Sequence, residues 1–188
     1  SNWKMSLVMK VNNPAYIKGY IKENLHFILT QIFECYKRML VDYEYVENNE
    51  NKIKNRLYRD YLNNQEVRNE LGLNNFIFKT ETGFVDENYN EVGYSDFEII
   101  DLRSSFYSTS AFYVVECKRL DGKNPKNRAS LYNLYVNNGI KRFVIEKYPT
   151  NFGINGMIGF FIDKTDIEQQ CKFFNDFKKS TFSDSYKN

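Results

Sequence analysis

Phe112-Tyr113-Val114-Val115-Glu116-Cys117-Lys118, read FYVVECK, is apolar for four residues and then sets an acid and a base two positions apart. A β-strand alternates faces, so Glu116 and Lys118 project together while Cys117 points the other way, into packing. Charge at the end of an apolar strand is costly to bury unless it is paired or bound to a metal. Two arrangements meet that cost. One is a salt bridge inside the protein; the other is a divalent cation held by Glu116 and a second carboxylate, with Lys118 beside it.

The preceding apolar run offers that carboxylate. Asp96 follows Gly93-Tyr94-Ser95, at a separation from Glu116 that suits antiparallel pairing of neighbouring strands. Two acids and an open site fit Mg2+, with Mn2+ as an alternative, since Mg2+ keeps waters or phosphate oxygens in most of its octahedral positions. Carboxylates without histidine argue against zinc. The single histidine, His26, falls within the first helix and reads as packed or solvent-facing.

Working outward, Ile17, Ile21, Leu25, Ile28, Ile32, Tyr36 and Met39 recur every three or four residues, which predicts a helical extension over 14–47. A second helix is expected from Glu50 to Asn64, with Ile53, Leu57 and Leu62 on its apolar face and Asn48 or Asn49 as N-cap. The period then shortens. Phe76–Glu81, Tyr94–Ile100 and Ala111–Cys117 read as three consecutive strands. A helix over Arg128–Glu146, a strand over Gly156–Asp163 and a helix over 164–180 complete the order α, α, β, β, β, α, β, α. The fold class is α/β, a mixed sheet of at least four strands flanked by helices on both faces, with an added N-terminal helix.

The chain has 188 residues, 42% hydrophobic and 17% aromatic, which is the length and composition of a single domain with a continuous core. Three separated cysteines give neither a disulfide framework nor a zinc site, and with the lack of any long apolar run this predicts a soluble cytoplasmic protein without membrane partners. A net charge of +2 leaves the question of a nucleic-acid partner to local charge.

Asp96 followed by Glu116-Cys117-Lys118, in a helix, three strands, helix, strand order, resembles the PD-(D/E)xK nuclease superfamily, the restriction-endonuclease-like fold. The likeness covers 50–163. It implies that Asp96 and Glu116 ligate metal, together with the Cys117 backbone carbonyl, and that Lys118 assists attack by water. Glu50 is similar to the helix acid that many members add to the metal site, and Glu98, on the strand face of Asp96, is a further candidate. Ser95 stands where the motif's name has proline. The implied activity is Mg2+- or Mn2+-dependent hydrolysis of phosphodiester bonds, with DNA the expected substrate and a homodimer the natural form for cutting two strands; the alternative is an inactive nucleic-acid-binding module of the same fold.

Lys118 to Arg128 holds five basic residues, Lys118, Arg119, Lys123, Lys126 and Arg128, against the single acid Asp121. Such a loop suits phosphate, although a charge run is also the ordinary make-up of a solvated surface. Tyr135, Gly139 and Arg142 fall at helical offsets that allow a nucleic-acid-facing stripe, with close helix packing the other reading of Gly139.

Overall fold

The computed structural model describes residues 14–85, 87–105, 111–120, 131–144, 153–161 and 166–182. Helix α1, Pro14–Asp42, buries Ile21, Leu25, Ile28, Ile32, Tyr36 and Met39, the stripe its periodicity predicts, and adds Cys35 between them. Helix α2, Glu50–Leu57, begins on Asn49, whose side chain accepts the Lys52 N–H at 3.1 Å. It continues through a π turn, Tyr58–Leu62, so the expected single helix to Asn64 is present with a widened final turn. A short α3, Gln65–Glu70, starts on Asn64.

Four strands form one sheet in the order β1-β2-β3-β4: β1 Phe76–Val85, β2 Glu91–Asp101, β3 Phe112–Leu120 and β4 Gly156–Phe161. Each of the first three runs past its expected end, because backbone pairing continues through polar residues that break the apolar pattern. Pairs β1·β2 and β2·β3 are antiparallel and β3·β4 is parallel, so the sheet is mixed as expected. A one-turn helix, α4, Leu102–Ser105, follows β2 and escaped the sequence reading because it is too short to show a period. Helix α5 spans 131–144, with a π turn at Val136–Ile140 before Lys141–Val144, and α6 is Ile167–Phe182. The alternative of a strand from Phe143 to Tyr148 falls largely outside the described residues.

One sheet face, Phe76, Phe78, Phe97, Ile99, Tyr113, Val115 and Cys117, packs against α1 and α2 in the main core. The opposite face carries Phe84 with Val114, and Leu120 with Leu131 and Tyr132 of α5. Helices therefore cover both faces. Gly139 is buried on α5, where a Cβ would meet the end of the Met157 side chain, so the helix packs closely on β4 there. Among the described residues no helix is long and apolar enough to cross a membrane.

The two ladders of β3 barely overlap. Pairing with β2 runs from Ile100↔Phe112 to Phe97↔Val115, and pairing with β4 runs from Val115↔Gly156 to Leu120↔Phe161. Glu116, Cys117 and Lys118 thus lie just past the point where β2 and β3 part.

Candidate metal and phosphate site

Asp96 occupies that fork. The register that pairs Phe97 with Val115 would set Asp96 opposite Glu116, but the ladder stops one residue earlier. In its place the Asp96 Oδ2 accepts the Cys117 backbone N–H at 2.7 Å. A carboxylate thereby satisfies a strand N–H, and a charge is tied to the sheet by a charge-assisted bond.

Glu116 is 2% exposed, and burial together with nearby Asp96 pushes its carboxyl up to about 7, although Lys118 and Arg142 pull the other way. Its Oε1 accepts from Arg142 at 2.8 Å. Its Oε2 is buried with no hydrogen-bond partner. Asp101, at the far end of β2, provides the contrast. It is fully buried, and it accepts from the Arg103 N–H and guanidinium, from the Ser104 hydroxyl and from the Asn24 amide. That is how a structural carboxylate is normally satisfied. Glu116 departs from it, and its orphaned oxygen is an acceptor that a cation could satisfy.

Lys118 lies between the acids. Its Nζ is 3.8 Å from both Asp96 Oδ2 and Glu116 Oε1, and it donates to Glu50 Oε1 at 3.0 Å and to the Cys117 carbonyl at 2.7 Å. Glu50 binds the Arg119 N–H through Oε2 at 2.7 Å, so the first turn of α2 is fastened to β3 just beyond the fork. The Cys117 carbonyl and Glu50, both expected beside metal, thus hold the lysine. The Cys117 thiol is buried in the core and its pKa lies well above the ordinary value, chiefly through burial, in keeping with a packing role.

Lys54 was not singled out in the sequence. It is 3% exposed on α2 and donates to Asp96 Oδ1 at 3.0 Å and to Glu81 Oε1 at 3.3 Å. Burial works against its ammonium, but Asp96 and Glu81 more than offset it, so its pKa is raised. Its place between Ile53 and Leu57, both on the buried side of α2, was the available signal.

Of the predicted basic residues, Arg119 and Arg142 are described, and Lys123, Lys126 and Arg128 lie outside the described residues. Arg142 turns inward onto Glu116. With Glu50, Lys118, Arg119, Leu131, Leu134 and Asn138 it lines a cleft of about 290 Å3. Glu98 is occupied elsewhere, accepting from Lys79 at 3.1 Å across the β1–β2 ladder. Among the described residues no group of three or more His, Cys, Asp or Glu side chains forms a metal cage; Asp96 and Glu116 lie among Lys54, Lys118 and Arg142, with Glu81 and Glu50 as further partners of the two lysines.

Comparison of the chain with family models, with curated proteins and with solved structures finds no match.

Proposed function

We propose that the chain is a metal-dependent nuclease of the PD-(D/E)xK kind, with a restriction-endonuclease-like core, hydrolysing phosphodiester bonds of nucleic acid and most readily of DNA. The observation that carries this reading is the unpartnered, buried Glu116 Oε2 beside Asp96 and Lys118 at a fork in the sheet.

Asp96 and Glu116 would hold Mg2+ or Mn2+. The chemistry such an ion would supply there is Lewis-acid polarisation of a phosphoryl group and activation of water. Lys118 would donate to the attacking water or to a phosphoryl oxygen, and its charge would offset the negative charge that grows in the transition state. Glu50 fixes the direction of that ammonium through the 3.0 Å bond to Oε1. Arg119 and Arg142, lining the same cleft, supply cations for the flanking phosphates.

The test is incubation with single- and double-stranded DNA and RNA in Mg2+, Mn2+ or EDTA, beside Asp96→Ala and Lys118→Ala. Cleavage that requires the divalent ion and is lost in both variants is expected. Cleavage unchanged by Asp96→Ala overturns the assignment.

A second reading, a nucleic-acid-binding module without turnover, is favoured by one observation: each acid already has a protein cation, Lys54 on Asp96 and Arg142 on Glu116. It predicts binding that weakens steeply with salt and no cleavage in any metal.

A further inference from the structure

Lys54 poses a problem that the metal site alone does not explain. Its ammonium is almost wholly buried, so it depends on protein acceptors, and one of its two acceptors is the carboxylate expected to take a cation. The other is Glu81, which is 62% exposed and lies on the β1 edge of the site. Glu81 has φ +53, a left-handed conformation that a glutamate rarely adopts within a strand. The β1–β2 ladder pairs Thr80 with Phe97 and Thr82 with Ser95 but omits the Glu81–Asp96 pair between them. Asp96 therefore sits where both neighbouring ladders lapse, and on the β1 side the lapse coincides with a strained residue whose carboxylate meets Lys54. Backbone strain of this sort persists only where the surroundings enforce it, and it collects at functional positions.

We propose that Lys54 is a movable counter-ion: shared between Asp96 and Glu81 in the metal-free protein, it shifts wholly to Glu81 when Asp96 takes a divalent cation, with Glu81 held out of the ladder as the acceptor that keeps it. Lys54 and Glu81 are positioning residues in this scheme, acting through Asp96. The proposal rests on the metal-site reading above.

Mn2+ titration of the intact protein by calorimetry tests it, with wild type, Asp96→Ala, Glu81→Gln, Lys54→Met and the double variant Lys54→Met/Glu81→Gln. Glu81→Gln is expected to weaken Mn2+ binding by about threefold, the scale of a partly exposed ion pair, because Lys54 then has only Asp96 to hold. In the Lys54→Met background the same change is expected to have no effect. A Glu81→Gln effect of equal size in both backgrounds, or no effect in wild type, overturns the hand-over. Mn2+ affinity equal in wild type and Asp96→Ala overturns the metal site itself, which separates the two failures. Should Lys54→Met not fold, the 15N resonance of the Lys54 ammonium on addition of Mg2+ decides: a shift that Glu81→Gln abolishes is expected, and an unmoved resonance overturns the proposal.

Discussion

The Asp96 carboxylate accepts the Cys117 backbone N–H at 2.7 Å, one residue past the last β2–β3 pair. A side chain thus takes over from the ladder where the sheet opens, and the Asp96 carboxylate is part of the sheet's own hydrogen bonding.

Replacing Asp96, which is partly exposed, and Asp101, which is fully buried, should separate function from stability. Asp101→Ala removes acceptors used by Arg103, Ser104 and Asn24, and is expected to destabilise by about 2–4 kcal/mol while sparing metal-dependent cleavage. Asp96→Ala is expected to lower cleavage by at least roughly a hundredfold. Denaturant melts and rates on both variants check the pair; equal loss of activity in folded Asp101→Ala would contradict it.

Glu116 makes the metal-free protein sensitive to pH. Its carboxyl is raised from 4.5 to about 7 chiefly by burial, so the folded state keeps a proton that the unfolded state has released. The stability linked to it is fully present below about 4.5 and is lost as pH rises through about 7. In EDTA, Tm measured from pH 4.5 to 8 should fall more steeply for wild type than for Glu116→Gln, and Mg2+ should restore wild type most at the upper end. Parallel slopes would remove Glu116 as the cause.

Ser95 is 1% exposed and its hydroxyl has no hydrogen-bond partner. Ser95→Ala removes an unsatisfied buried polar group and is expected to stabilise by about 1 kcal/mol without loss of cleavage. A destabilised variant in urea melts would show that the hydroxyl has a partner after all.

Tyr89, in the β1–β2 connection, is 90% exposed with φ +65, a conformation unfavourable for an aromatic residue and natural for glycine. Tyr89→Gly is therefore expected to raise stability by roughly 0.5–1 kcal/mol, with Tm as the measurement. A fall in Tm would mean that the ring makes contacts worth more than the strain.

The α1 face, the cap at Asn49 and the order of strands were legible because each depends on local spacing and local chemistry. So was the meeting of Asp96, Glu116 and Lys118, since alternation places the last two on one face and hairpin pairing brings the first alongside. The π turns at Tyr58–Leu62 and Val136–Ile140 were not, because a single widened turn leaves the apolar period nearly unchanged. The protein partners of Glu50 and Arg142 were not legible: Glu50 holds Lys118 and the Arg119 N–H, and Arg142 holds Glu116. Partner choice of that kind depends on which end of a helix reaches the fork, a long-range outcome that spacing does not encode. Lys54 was overlooked for a related reason. A lysine flanking a buried stripe ordinarily extends to water, and only the fork gives this one carboxylates to meet.

Among the described residues, Val115 is the only one at which β3 is paired with both neighbours. The sheet is consequently a spliced joint, with Asp96 anchored to the hairpin half and Glu116 and Lys118 carried by the half that includes β4. Across the splice run the one doubly paired residue, the Asp96–Cys117 bond, the Val114 N–H to the Asn155 side chain and the core that Phe160 shares with β2, so a slip of β4 would move Glu116 and Lys118 relative to Asp96 as well as disturb the core. Met157 and Gly159, which pair with Glu116 and Lys118, thus help set where those two side chains stand relative to Asp96, from a strand that places no charge there.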